Sequence, residues 1–172
     1  DEVHFAFKQV NDAAKIIAKV ESIENTNEFG KAGVVMRDTL DADSKYIGVF
    51  ITPENGVRFQ YRNAVGGVTE REFVEGITAP QWVRLERTTG GLIRAYYSAD
   101  GNNWERFGLL QVSMTMPVYA GLAVTSHDIT LTCEAVFSNV SFPDTTVDEQ
   151  WTDQDIGMLS NKTAPMYVAL SN

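Results

Sequence analysis

Apolar and polar residues alternate with period two along most of this chain. In Val57-Arg58-Phe59-Gln60-Tyr61-Arg62 the alternation places the apolar residues on one face of a strand and the polar residues on the other. The preceding Asn55-Gly56 pair is typical of a hairpin turn, because both residues tolerate positive φ. The same pattern predicts strands at 3–8, 15–23, 31–39, 44–52, 56–63, 81–88, 91–98, 103–107, 117–126 and 130–142. Short, evenly spaced strands without helical periodicity predict an all-β fold, a two-sheet antiparallel β-sandwich.

The alternation also predicts which side chains form the core. Each member of this set occupies an inward position of its predicted strand: Phe5, Phe7, Val20, Val34, Met36, Phe50, Phe59, Leu85, Leu122, Val124 and Phe137. For Phe50 the inward face is left open, because Tyr46-Gly48-Phe50 competes with Ile47-Val49-Ile51.

The composition divides the chain near Pro143. Its 172 residues, 44% of them hydrophobic, suit one compact domain with a core. After Pro143 comes a polar, acidic stretch at 144–150, and apolar residues return around Trp151 and at 165–170. We therefore predict a β-sandwich domain at 1–143, followed at 144–172 by an acidic linker and a C-terminal segment. Because that segment is too short for a core of its own, it either docks on the sandwich or opens a second module.

The charge of the chain bears on its partners. The formal net charge is −9 and the sequence pI is about 4.6. Phosphate backbones and anionic membranes repel such a surface, so we expect neither nucleic acid nor membrane as a partner. No apolar run approaches the ~18 residues of a spanning helix.

Cysteine and histidine usage suggests no metal or thiol chemistry. Cys133 is the only cysteine, so no intramolecular disulfide can form, and its alternating position predicts a small buried side chain. His4 and His127 are far apart in sequence, and no Cys or His stands at the spacing of a zinc site. His127 follows a predicted strand at a loop, where it either contacts a ligand or is satisfied locally.

Several segments together carry a family resemblance. They are Asp1-Glu2-Val3-His4-Phe5-Ala6-Phe7, Lys31-Ala32-Gly33-Val34-Val35-Met36-Arg37-Asp38, Gln81-Trp82-Val83-Arg84-Leu85-Glu86-Arg87, Tyr97-Ser98-Ala99-Asp100-Gly101-Asn102-Asn103-Trp104 and Val118-Tyr119-Ala120-Gly121-Leu122-Ala123-Val124-Thr125-Ser126-His127. In order and spacing they resemble bacterial extracellular modules of the concanavalin A-like lectin/glucanase superfamily, over residues 1 to about 142. A segment like 151–157, which often precedes the Phe5-like strand in these relatives, follows the domain here. That difference indicates either a second module or a rearranged strand order.

The resemblance implies a jelly-roll sandwich at an extracellular or cell-surface location. It suggests carbohydrate binding, with neighbouring domains in a larger chain, and no required cofactor. Calcium is common in the superfamily, so a structural calcium ion with oxygen ligands from Asp41, Asp43, Asp128 and Asp144 is an expectation, although nothing matches a known loop spacing.

The carboxylates give no sign of catalysis. Glucanases of this superfamily carry acidic residues at alternate positions of one strand, so that two carboxylates straddle the scissile bond. No Glu-x-Asp-x-x-Glu string occurs, and the Asp41/Asp43 and Asp153/Asp155 pairs fall in turn or linker contexts. We therefore predict no catalytic residues and regard enzyme activity as disfavoured. The segment 98–104 resembles a sialidase Asp-box hairpin one residue short, which we interpret as a structural turn.

Arginines and aromatic residues at alternate positions form the candidate ligand site. The residues are Arg58, Arg62, Trp82, Arg84, Arg94, Tyr96 and His127. One interpretation is a solvated face with cross-strand ion pairs. The other is a polar sugar-binding face, on which arginines donate to hydroxyls or uronate carboxylates and an aromatic ring stacks on the sugar.

The leading hypothesis is a non-catalytic carbohydrate-binding module of a larger secreted or cell-surface protein, with a glycan, an acidic polysaccharide among the options, as ligand. A structural or adhesive spacer module without a sugar ligand is the alternative, and a glycan-degrading enzyme with an atypical site is a third. A spacer module predicts that the arginines pair with neighbouring side chains.

Overall fold

The computed structural model describes residues 2–157 and 167–171. In these residues the chain forms β-strands and no helix. The strands are β1 (Val3–Val10), β2 (Ala14–Ile23), β3 (Lys31–Arg37), β4 (Tyr46–Ile51), β5 (Val57–Arg62), β6 (Glu70–Val74), β7 (Gln81–Arg87), β8 (Leu92–Ser98), β9 (Glu105–Gln111), β10 (Val118–Thr125), β11 (Glu134–Ser141), β12 (Thr152–Ile156) and β13 (Tyr167–Ser171). Within the described part, no helix is therefore long and apolar enough to cross a membrane.

Two sheets stack to form the molecule. The seven-stranded sheet has the order β12-β1-β10-β3-β4-β5-β6, and the six-stranded sheet has the order β13-β11-β2-β7-β8-β9. Neighbouring strands are antiparallel except β13, which runs parallel to β11. The predicted all-β, two-sheet sandwich of jelly-roll type is confirmed.

The main core lies between the sheets. Val34, Phe59 and Leu85 are fully buried there, as are Val20, Met36, Leu122, Val124 and Phe137. In β4 the inward residues are Ile47, Val49 and Ile51, which settles the face left open by the sequence. Period-two alternation on both sheets therefore supplies most of the apolar surface that holds them together.

The seven-stranded sheet buries a second apolar cluster on its outer face. Phe5, Phe7 and Phe50 are 0%, 4% and 5% exposed, but they lie in this outer cluster and not between the sheets. Their predicted burial is correct. The predicted place of Phe5 and Phe7 in the inter-sheet core is wrong, and the face left open for Phe50 is the outer one. The rings of Phe5 and Phe7 stack with centroids 5.1 Å apart. In β1 the apolar face with Phe5 and Phe7 is the outer one, and β4 is buried on both faces, so alternation alone does not identify the face that meets the other sheet.

Three observed strands were not among the predicted ones. The edge strand β6 reads Glu70-Arg71-Glu72-Phe73-Val74, and β12 and β13 lie beyond Pro143. In β12, Thr152–Ile156 pairs with Phe7–Val3 of β1. Of the apolar stretch noted at 165–170, positions 165 and 166 lie outside the described residues.

The acidic stretch before β12 contacts β1. Lys8 Nζ donates to the Asp148 and Glu149 carbonyl oxygens at 2.6 and 2.7 Å. The same ammonium lies 5.6 Å from the centroid of the Trp151 ring, which packs on Phe142 at 5.8 Å. These contacts join residues 148–156 to the edge of the sandwich.

Candidate functional site

The outer face of the seven-stranded sheet carries one aligned row of side chains from five strands. Cross-strand partners run from Phe5 to Ala123, Gly33, Phe50 and Arg58. Large residues thus stand at both ends of the row and small ones in its middle. The sheet surface is therefore low along β10 and β3 and high along β1 and β4.

This relief forms a groove of about 370 Å³. Its lining residues are Glu2, Val3, Phe5, Lys31, Val35, Arg37, Tyr46, Phe50, Gln60, Ala123, Thr125, His127 and Ile129. The volume lies within the ~300–1,000 Å³ typical of small-molecule sites, and an apolar floor with a few polar groups is their usual composition.

Glycines keep the floor low. A Cβ at Gly33 would overlap the Val49 carbonyl oxygen, so the adjacent backbone excludes any side chain there. A Cβ at Gly48 would overlap the Phe50 ring, which therefore lies over that glycine. In the sequence this is visible as Tyr46-Gly48-Phe50, a glycine between two aromatic residues on one strand face.

At one end of the groove, Arg37 and Arg62 are engaged by backbone carbonyls. Arg37 is 2% exposed, and its Nη2 donates to the Asp41 carbonyl oxygen at 2.7 Å. Burial lowers the pKa of Arg37 to about 10. Arg62 Nε donates to the Gly67 carbonyl oxygen at 3.0 Å, and Nη1 donates to those of Ala42 and Ser44. Both arginines therefore fasten loops to the sheet.

The Tyr46 ring stands between these two arginines. Its centroid is 5.5 Å from the Arg37 guanidinium carbon and 5.3 Å from that of Arg62. Gln60 Nε2 donates to the Tyr46 hydroxyl. This end of the groove is a packed polar network.

Arg58, near the other end, is bonded differently. Its side chain is 7% exposed, and its guanidinium carbon lies 5.2 Å and 5.5 Å from the ring centroids of Phe29 and Phe73. Its buried Nε has no hydrogen-bond partner among the described residues. Burial, with repulsion from Arg71, lowers the pKa of Arg58, while attraction to Glu28 opposes this shift.

Lys31 and His127 complete this end of the groove. Lys31 Nζ donates to the Phe29 carbonyl oxygen at 2.9 Å. Burial, then repulsion from Arg58 and Arg71, lowers the pKa of Lys31 to about 8. His127 is exposed at φ 54°, and its ring centroid lies 5.8 Å from that of Phe29. Lys31, Arg58 and Arg71 form what we call the basic cluster.

The remaining predicted site residues lie on the opposite side of the molecule. Trp82, Arg84, Arg94 and Tyr96 are on the outer face of the six-stranded sheet. The Arg84 guanidinium carbon lies 3.9 Å from the centroid of the Tyr96 ring and 4.5 Å from that of Trp104. Arg84 Nε also pairs with Glu86 at 3.3 Å. This is the internal pairing that a structural face predicts.

The structure thus divides the seven predicted residues between two faces. Arg58, Arg62 and His127 lie on the groove side, and the other four cannot reach it through the sandwich. Sequence reasoning missed Lys31 because it begins its strand beside apolar residues. It missed Phe5 and Phe50 as groove residues because they were interpreted as core.

The Asp-box-like hairpin has the structural role expected for it. Asp100 Oδ1 accepts from the backbone amides of Asn102 and Asn103, both at 2.8 Å. These bonds hold the pKa of Asp100 well below its usual range. Gly101, at φ 75°, lies against the Trp82 ring, where a Cβ would come within 2.8 Å.

The described residues contain no group of three or more His, Cys, Asp or Glu side chains placed to hold a metal ion. Asp128 accepts from Thr130, and Asp144 lies 3.7 Å from Lys15. His4 Nδ1 bonds to Asp155 at 2.9 Å across the β1–β12 pair. Cys133 is buried, and burial raises the pKa of its thiol, so it is a poor nucleophile in this setting.

Comparison with known proteins identifies the fold. Neither a protein-family model nor the sequence of a curated protein matches the chain. A functionally unknown protein from Saccharomyces cerevisiae is similar at a TM-score of 0.58 and 16% identity, over 79% of this chain and 71% of that one. Scytalido-glutamic peptidase with a transition-state analogue inhibitor is similar at a TM-score of 0.50 and 13% identity. The match covers 84% of this chain and 80% of that one. The CBM40 of the Ruminococcus gnavus IT-sialidase, bound to α2,3-sialyllactose, has a TM-score of 0.40 and 11% sequence identity. The match covers 68% of this chain and 76% of that one. At these identities the likeness concerns the fold alone, and it rests on the two proteins with TM-scores of 0.58 and 0.50.

Proposed function

We propose that this chain is a non-catalytic glycan-binding module of a larger secreted or cell-surface protein, and that the glycan lies in the outer-face groove. The observation that carries the proposal is the combination of an apolar, aromatic-walled floor with polar groups at both ends. Sugar rings pack their C–H faces on such surfaces and bond their hydroxyls sideways to planar donors. Acidic polysaccharides are included among the ligands.

One exposed ring in the groove and one beside it support this assignment. His127 lines the groove and is exposed, and Phe73, on β6 outside the lining, contacts Arg58 and is 50% exposed. An exposed ring beside an arginine is an arrangement that allows a sugar to stack and bond at once. Phe5 and Phe50, by contrast, are too buried to present a whole ring face and form the wall of the groove.

The test fills the groove. Ala123 lies on its floor and is 1% exposed, so Ala123→Phe projects a ring into the space that a ligand would occupy. Ala99→Phe makes the same change at an exposed position of the β8–β9 turn. Glycan-array binding of the parent chain, followed by calorimetry on each sugar bound, should show loss of affinity for Ala123→Phe alone. Equal affinities of all three proteins would remove the groove as the site.

A structural spacer module is the second candidate, because of the paired arginines on the six-stranded sheet. Arg84 is held by Glu86 and two aromatic rings, as a face without a ligand predicts. The array distinguishes the two functions: a spacer binds no glycan, and its melting temperature is unchanged by any of them.

A further inference from the structure

The arginines on the outer face of the seven-stranded sheet differ in how many hydrogen bonds they donate within the protein. Arg37 and Arg62, at one end of the groove, donate to loop carbonyl oxygens, so their hydrogen-bonding capacity is largely used within the protein. They therefore position loops and are poor candidates for direct ligand binding.

Arg58 is in the opposite situation. No hydrogen bond or ion pair joins its guanidinium to another described residue, although the residue is only 7% exposed and its Nε is buried. A buried guanidinium without a hydrogen-bonded partner costs free energy, and proteins ordinarily satisfy such groups. The neighbouring rings of Phe29 and Phe73 lie over its carbon, and rings cannot accept the in-plane hydrogen bonds that a guanidinium donates. Because Nε is buried, the Nη groups are the donors left for an acceptor from outside the protein.

The surroundings of Arg58 are positive on a protein of net charge −9. Lys31 and Arg71 are close enough for their charges to repel, and Lys31 also lines the groove. The carboxylates at this end are Glu28, which attracts Arg58, and the exposed Glu2, which also lines the groove. Three cations held together against their mutual repulsion are stabilised by an anion.

We propose that the basic cluster binds a carboxylate of the glycan, with Arg58 donating in its plane and Lys31 beside it, so that the ligand is an acidic polysaccharide. This inference rests on the proposed function and adds to it the class of ligand and the place of its carboxylate, at the end of the groove that Lys31 lines and beside which Arg58 lies. The same donors also suit a sulfate ester, and the experiment separates the two sources.

The test compares matched sugars on the full chain by calorimetry. The probes are an oligogalacturonide, its neutral methyl ester and a sulfated galactan. We expect the parent to bind the oligogalacturonide at least about tenfold more tightly than its methyl ester, as for a charged hydrogen bond. Arg58→Gln should abolish that preference by weakening binding of the oligogalacturonide to the level of its methyl ester. Arg106→Gln, which removes the same charge from an exposed position on β9, should keep the preference.

Each other result decides the matter. Tighter binding of the sulfated galactan than of the oligogalacturonide would overturn the proposal that the bound group is a carboxylate and would indicate a sulfate ester instead. Equal binding of acid and ester by parent and Arg58→Gln would overturn the inference and leave glycan binding in place. A parent chain that binds no glycan in the array or by calorimetry would overturn both. Thermal melting of Arg58→Gln establishes that a lost preference is not lost folding.

Discussion

At the scale of single residues, two arginines on one strand face have opposite roles. Arg62 bonds three loop carbonyl oxygens, whereas the Arg58 guanidinium is buried against rings with its Nε unpaired. The sequence shows both as polar positions of β5 and cannot distinguish them, because the difference lies in the loops that fold over each. The sequence therefore predicts which face of β5 carries the arginines, but it does not predict which arginine holds loops and which is left to bind a ligand.

The same substitution at both positions should give opposite results. Arg62→Met removes bonds that hold the loops around Ala42 and Gly67, so we expect the free energy of unfolding to fall by ~1–3 kcal/mol. Arg58→Met replaces a buried charge by an apolar chain that still contacts both rings, so stability should be unchanged or rise by ~1 kcal/mol. Urea unfolding of both variants measures this, and a larger loss for Arg58→Met would contradict the assigned roles.

Lys31 gives the protein a pH dependence of known sign. Its pKa is about 8 in the folded chain, against an ordinary value of 10.5. Between these values the unfolded chain binds more protons than the folded one, so the free energy of unfolding should rise as pH increases from about 8 toward 10.5. Denaturant unfolding at a series of pH values should show this rise in the parent and a smaller one in Lys31→Met. If the free energy of unfolding rises equally with pH in both proteins, the pKa of Lys31 is not lowered in the folded chain.

At the scale of strands, the sequence predicts the central strands of both sheets but not the edge strands β6 and β12. Central strands such as β4 and β10 carry apolar runs or clear alternation, because packing demands it. The edge strands β6 and β12 bond mainly through their backbones. Charged residues lie on both faces of β6 and, as Asp153 and Asp155, on one face of β12. Their side chains therefore carry little pattern, and the segment that holds β12 was predicted to dock or to open a second module, without being assigned a strand. The face assigned to Phe5 was wrong because the apolar face of β1 is its outer one, and the face of Phe50 was left open because β4 is apolar on both sides.

Strand β12 should contribute to stability although it follows the acidic stretch. It pairs with β1, buries Ile156 to 1% exposure against the outer cluster, and is preceded by the Lys8 contacts. A chain ending at Pro143 should melt at least ~4 °C below the full chain, which corresponds to about 1–2 kcal/mol for a domain of this size. An unchanged midpoint would show that the segment from 144 onward does not support the sandwich.

At the scale of the whole molecule, the charge is negative and the proposed site is positive. The three cations of the basic cluster stand on a chain with 23 acidic and 14 basic residues. Acidic glycans are therefore repelled by most of the surface and attracted at one end of the groove. The composition already gives the negative net charge, but only the fold shows that Lys31, Arg58 and Arg71 lie together.

Salt should act on the acidic ligand alone. Exposed charges are screened beyond ~8 Å at physiological ionic strength, so a charged contact weakens as salt rises. We expect affinity for an oligogalacturonide to fall between 50 and 500 mM NaCl, at roughly tenfold or less for so few charged contacts. The methyl ester is the internal control, since its affinity should stay constant. A parallel fall for both sugars would indicate an effect on the protein instead.

The low floor of the groove restricts how this surface can diversify. Gly33 cannot gain a side chain because the Val49 carbonyl oxygen occupies the place of its Cβ, and a residue at Gly48 would displace the Phe50 ring. Ala123 stands in the same row and already carries a Cβ that faces the groove. Natural variation in ligand choice among descendants of this chain should therefore concentrate at position 123 and in the rim loops, while both glycines stay fixed.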